Sequence, residues 1–236
     1  MNLPTLRHKL RQAATTEQAA IARRFFKNGP GEYGEGDLFL GLKVPQLRAE
    51  LPHTDALREA DVLDLLHSEW HEERLLALLV LVRRFSRAKK DTTTQQRLVS
   101  LYLANTQWIN NWDLVDSSAP HLLGAWLLKR DRTVLDTLAS STSLWEQRIA
   151  ILATQAFIRA GDFADTLRLS AQFLSHPHDL MHKACGWMLR EVGKREVKPL
   201  MAFLDQHASQ MPRTMLRYAI EKLPEKTRQA YLAMKS

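Results

Sequence analysis

Apolar residues recur at three- and four-residue spacing along nearly the whole chain, and no stretch shows sustained alternation of period two. That pattern confines the chain to amphipathic helices. Leu75, Leu78, Leu79 and Val82 mark one helix face over about 71–88. Ile149, Leu152, Ala153, Ala156 and Phe157 mark another over about 143–160, and Ala184, Trp187, Met188 and Glu191 a third over about 179–194. Breaks fall at Gly29 to Gly36, Gly161-Asp162, His176-Pro177 and Met211-Pro212, where glycine and proline end helices. The expectation is an all-α chain.

Internal repetition sharpens this. EERLLALLVL, EQRIAILATQ, MHKACGWMLR and RTMLRYAIEK each carry a cation, at Arg74, Arg148, Lys183 and Arg217, beside an apolar face. The last two steps are 35 and 34 residues, and the first is twice 37, with its midpoint at Asn111 beside Trp112. Two helices per such period signal an α-solenoid; the spacing suits TPR- or HEAT-like units, but the TPR residue pattern is absent, and the chain is taken here as a single HEAT-like domain over 1–236, curved, with a concave basic groove. In that register Arg74, Arg148, Lys183 and Arg217 form a line of cations suited to a phosphate backbone. The competing reading makes each of them a solvated residue or an inter-repeat ion pair.

Charge agrees with a polyanionic partner but does not demand one. The chain carries a net +7 and a pI near 9.7. Residues 181–236 hold most of the excess. The longest apolar run, Leu75 to Val82, is far short of the roughly 20 residues of a membrane span, and the N-terminus has no apolar signal core. With Cys185 as the one cysteine, neither a disulfide framework nor a cysteine zinc site is available. A cytoplasmic monomer that touches no membrane and uses no metal or cofactor is expected. His178 and His182 share i,i+4 spacing, as do His67 and His71, but no third ligand is evident.

The segment QWINNWDLVDSSAPHLLG, from Gln107 to Gly124, stands apart. Trp112 and Asp116 are four residues apart and share a helix face. Asp113, Asn110 and Asn111 suit the helix N-terminus. By repeat register Trp187 falls on the same face two units along, with Arg148 between. A carboxylate repels phosphate, so one set among cations suggests a positive charge on the ligand. The alternative is that both tryptophans are core residues and Asp116 pairs with Arg148.

NWDLVDSSAPHLLG, then WEQRIAIL, then KACGWMLRE, preceded by RRFFKNGPGEYGEGDLFLGLKVPQLR, resemble the AlkD-type alkylpurine DNA glycosylases of the DNA alkylation repair family. The resemblance covers about residues 20–200. It implies a HEAT-like solenoid that wraps duplex DNA and a monofunctional glycosylase that excises cationic N3- and N7-alkylated purines without a cofactor, in base excision repair. It places the catalytic carboxylate on Asp116, the cleft tryptophans on Trp112 and Trp187, and the cleft arginine on Arg148. Arg48, in VPQLR, keeps a basic position, and Arg190, in KACGWMLRE, joins Lys183, Arg74 and Arg217 as a DNA-binding cation. A family tyrosine aligns with Phe25, which has no hydroxyl. A purine alkylated at N7 or N3 is already a cationic leaving group, so one carboxylate opposite the developing oxocarbenium suffices. The rival readings are a non-catalytic HEAT-like module for damaged or unusual DNA and a solenoid that meets an acidic protein.

Overall fold

The computed structural model describes residues 1–234. It is all-helical and α-solenoid-like, with no β-strand among the described residues. The chain divides into two compact units, 1–118 and 119–236.

The N-terminal unit is built from α1 (Leu3–Gln12), α2 (Thr16–Phe25), α3 (Val44–Glu50), α4 (Glu59–Leu66), α5 (His71–Arg87), α6 (Thr92–Leu103) and α7 (Trp112–Asp116). Side-chain oxygens of Asn2, Thr15 and Asp91 cap α1, α2 and α6 by accepting from backbone N–H groups that lack helical partners. The centre of the unit is α5, against which α3, α4, α6 and α7 pack. The expected single apolar face at Leu75, Leu78 and Leu79 is too narrow a description. Every residue from His71 to Leu81 is buried, so the first three turns of α5 are enclosed all round, as its eight-residue apolar run allows.

Four consecutive ionisable residues open that buried helix, and each has found a partner. The Glu72 carboxylate accepts from the backbone N–H groups of Leu40, Gly41 and Leu42 at 2.9, 2.8 and 3.1 Å. Glu73 accepts from Arg7 at 2.9 Å and Arg11 at 2.8 Å, tying α1 to α5. His71 and Arg74 both bond Asp37. A short parallel bridge between Leu38 and Trp70 completes the docking of the 28–43 segment onto the head of α5.

The C-terminal unit begins with a π-helical turn over 120–124 that runs into α8 (Ala125–Leu127). Then come α9 (Thr133–Ala139), α10 (Leu144–Ala153), α11 (Gln155–Arg159), α12 (Ala164–Gln172), α13 (Asp179–Arg195), α14 (Val197–His207), α15 (Arg213–Ile220) and α16 (Glu225–Ala233). Its centre is α13, against which α10, α11, α12, α14 and α15 pack. Gly186 lets α15 come close, because a Cβ there would lie 2.5 Å from the Met215 carbonyl oxygen. The helix expected over 143–160 is instead two, broken at Thr154. The hydroxyl of Thr154 bonds back to the Ile151 carbonyl at 2.7 Å, and its N–H reaches the same oxygen, tightening the turn.

Candidate functional site

In the N-terminal unit the segment around Trp112 forms a short, well-tethered platform. Only five residues long, α7 is far below the length at which a helix is stable alone, so its neighbours must fix it. Asn111, fully buried, accepts from the Trp112 N–H at 2.8 Å. Asp113 accepts from the Leu114 N–H at 2.9 Å and bonds His71. Beyond the helix, the Ser118 hydroxyl donates to the Leu114 carbonyl at 2.6 Å and meets the buried Tyr102 hydroxyl at 3.2 Å.

Trp112 and Asp116 are both half-buried, one turn apart on α7, as their spacing predicts. The Trp112 indole stacks on Phe26 at 5.4 Å and meets Phe25 edge-on at 5.6 Å. Phe25 is 60% exposed, a large apolar ring presented to solvent where the resemblance expects a tyrosine. The Tyr102 phenol, buried behind α7, is pushed well above its usual range by burial, and the nearby charge of Asp116 adds to the shift. Beside the platform lies a cavity of about 290 Å³ between α2, the 41–45 turn and α5, with Phe25, Phe26 and Ile21 on its walls and His71 and Asp113 among its lining.

The expected cation line is only partly a surface feature. Arg74 is 3% exposed and donates to the Asp37 carboxylate at 2.6 Å and to the Ser68 carbonyl at 2.8 Å. The expectation that it meets phosphate is therefore corrected: its charge is spent inside the unit. Arg48, at the end of α3, is exposed.

In the C-terminal unit Arg148, near the start of α10, is 4% exposed and donates to the Leu180 carbonyl in the first turn of α13 at 2.6 Å. It too offers no open face to a phosphate. Lys183 is half-buried and pairs with Asp179 at 2.8 Å. Trp187, also half-buried, donates its indole N–H to Glu191 at 3.2 Å, and Glu191 pairs in turn with Lys194 at 2.7 Å. Arg190 pairs with Glu221 and lies 3.7 Å from Glu191. Arg217 on α15 is exposed. Lys183, Trp187 and Arg190 thus ride one helix, α13, and Arg148 reaches it.

His176, His178 and His182 turn their ring nitrogens inward to hydrogen bonds. His176 bonds Gln147 at 2.7 Å, His178 caps α13, and His182 bonds the His176 carbonyl at 2.5 Å. Among the described residues no group of three histidine, cysteine or acidic side chains is placed to hold a metal ion. Burial pushes the Cys185 thiol up to about 12, leaving it a packing group. No helix is long and apolar enough to cross a membrane among the described residues.

Sequence reasoning gave no role to Phe26 or Asp37, took Glu191 only as part of a helix face and Asp113 only as suited to a helix N-terminus, and weighed His71 only in an i,i+4 histidine pair. One signal was present: His71 to Arg74 run directly into an apolar segment, and ionisable residues continuous with a buried helix need partners.

The family profile described as DNA alkylation repair enzyme matches residues 6–223. No curated protein matches the sequence. A solved structure described as a predicted DNA alkylation repair enzyme from Enterococcus faecalis superposes with a TM-score of 0.69 at 14% identity, covering 90% of this chain and 97% of that one. At that identity it speaks for the fold.

Proposed function

Because the chain belongs to the family of DNA alkylation repair enzymes, we propose that it is a monofunctional DNA glycosylase that excises cationic N3- and N7-alkylated purines, such as 3-methyladenine and 7-methylguanine, from duplex DNA. The observation that carries this is the pairing on α7 of a half-buried carboxylate, Asp116, with an aromatic-walled indole, Trp112. A module that only tracks phosphate has no use for that carboxylate.

The lesion leaves as a neutral base because it begins as a cation, so no general acid is needed. As the C1′–N bond breaks, positive charge grows on the deoxyribose. Asp116 stabilises that charge most in the transition state and orients the attacking water. Trp112 presents an aromatic face that suits a cationic centre, and Trp187, in the C-terminal unit, offers the same chemistry. Arg48, Lys183, Arg190 and Arg217 meet the phosphates, while the buried Arg74 and Arg148 serve the fold around them. The protein acts in this reading as a cytoplasmic monomer in base excision repair.

The test is release of 7-methylguanine and 3-methyladenine from methylated duplex DNA by the wild type and by Asp116→Asn. Asp116→Asn is expected to fold and bind duplex as the wild type does and to lose release by about 10²–10³. Uracil, a neutral leaving group, is expected to stay in place. Equal release by Asp116→Asn removes Asp116 from the chemistry. Tight binding with no release by either protein leaves a non-catalytic DNA-binding module.

A further inference from the structure

His71 lies between two carboxylates. Its Nδ1 is 3.1 Å from Asp37 Oδ2 and its Nε2 is 2.9 Å from Asp113 Oδ2. Ionised carboxylates only accept, so both ring nitrogens must donate, and that requires the imidazolium. Asp37 also accepts from Arg74 at 2.6 Å and from the Asn110 amide at 3.3 Å. Two cations and two anions therefore balance. Glu72 and Glu73, the other charges at the head of α5, are occupied by backbone N–H groups and by Arg7 and Arg11. The rings of Phe26 and Phe39 flank the imidazole at 4.7 and 5.0 Å.

Enclosing four ions costs desolvation, and an apolar cluster of the same volume would stabilise the fold at least as well. What the cluster supplies is position. Asp113 is the second residue of α7, between Trp112 and the turn that carries Asp116. Phe26, stacked on Trp112, is in contact with His71 as well. Two independent routes thus lead from His71 to the platform, one ionic and one aromatic.

We propose that Asp37, His71, Arg74 and Asp113 form an ionic clamp that holds α7, and with it Trp112 and Asp116, in working position. These are positioning residues, and base release depends on the clamp staying charged. Its functional half rests on the glycosylase reading given above. Burial and the charge of Arg74 disfavour the imidazolium, but the Asp113 charge and the hydrogen bonds to Asp113 and Asp37 outweigh them and raise His71 to about 9. The clamp is closed at neutral pH and opens in alkali.

Three measurements on wild type and Asp113→Asn test this between pH 6 and 9.5. They are single-turnover release of 7-methylguanine, the His71 imidazole resonances, and amide exchange of Trp112 to Asp116 normalised to that of α13. In the wild type His71 titrates near 9, and both the release rate and the protection of α7 fall with that midpoint. Asp113→Asn, which keeps the shape and removes one charge, moves all three midpoints down by a pH unit or more and recovers most of the release at pH 6. A purely structural contact would lower activity without moving the midpoint. The clamp is overturned if His71 titrates near 6.5 in the wild type, or if α7 stays protected and release unchanged while His71 loses its proton. If no base is released but His71 and the α7 amides titrate together, the clamp stands and the glycosylase reading falls.

Discussion

The Trp112 indole stacks on the ring of Phe26, with centroids 5.4 Å apart and planes 29° from parallel. The contact is tertiary: Phe26 follows α2, and Trp112 begins α7. An offset aromatic pair contributes about 0.5–1.5 kcal/mol beyond the area it buries. Phe26→Leu keeps an apolar residue and removes the stack. It is expected to lower stability by about 1 kcal/mol in urea unfolding. It should also slow single-turnover base release while leaving the Kd for undamaged duplex near the wild-type value. Release at the wild-type rate would show that the orientation of Trp112 does not depend on this ring.

Glu72 serves the same unit from below. Its carboxylate accepts from three consecutive backbone N–H groups, those of Leu40, Gly41 and Leu42, and is 3% exposed. Gly41 adopts φ +82°, and an added Cβ would meet the backbone of Thr15 and Ala19 at 2.6 and 2.5 Å, so the turn has no alternative seat. Glu72→Gln replaces an acceptor-only group by an amide whose NH₂ faces donors. A loss of about 2–3 kcal/mol is expected, the scale of charge-assisted hydrogen bonds left unmade. Chemical denaturation measures it, and a change below about 0.5 kcal/mol, the range of ordinary surface substitutions, would mean that water replaces the carboxylate.

Much of this architecture can be read from residue spacing, and the reasons for the misses are physical. Three- and four-residue periodicity marks α5 and α13 to within a residue of their ends, because burial of a helix face leaves that trace directly. The pairing of Trp112 and Asp116 is local, so spacing finds it too. Arg74 is different. A cation near a helix start usually lies in water, and what buries this one is Asp37, which lies 37 residues earlier. The break at Thr154 is equally hidden, since an isolated threonine is tolerated in helices unless its hydroxyl turns back onto the main chain. Long-range ion pairs and single side-chain rotamers leave no periodic signature.

The ionic cluster also gives stability a two-sided pH dependence. His71 is raised from 6.5 to about 9 on folding. Below 6.5 both states hold the proton and its contribution is complete. Between 6.5 and 9 only the native state holds it, so stability falls as pH rises and the contribution is gone above 9. Asp37 moves the other way: burial raises its pKa, but the His71 hydrogen bond and the Arg74 charge lower it further, to a net value below 3.8. Its contribution is present above 3.8 and is lost as pH falls below that. Urea midpoints should therefore decline on both sides of a plateau that ends near pH 6.5. Midpoints that stay flat from pH 6.5 to 9.5 would contradict the charge assigned to His71.

The two classes of arginine should separate cleanly in binding experiments. Arg217 and Arg48 are exposed, and if each meets a phosphate, alanine there removes one released counterion. The slope of log K against log salt should shrink by about 1 for each, with similar losses on every duplex sequence and no change in Tm. Arg74→Met should behave oppositely. It leaves Asp37 as a buried charge with His71 as its one cationic partner, which costs about 3–5 kcal/mol of stability. Measured below its own Tm, the salt slope of Arg74→Met should match the wild type, because a 3% exposed guanidinium releases no counterion from DNA. A reduced slope in Arg74→Met with Tm unchanged would return this residue to the DNA surface and break the link between Asp37 and the head of α5.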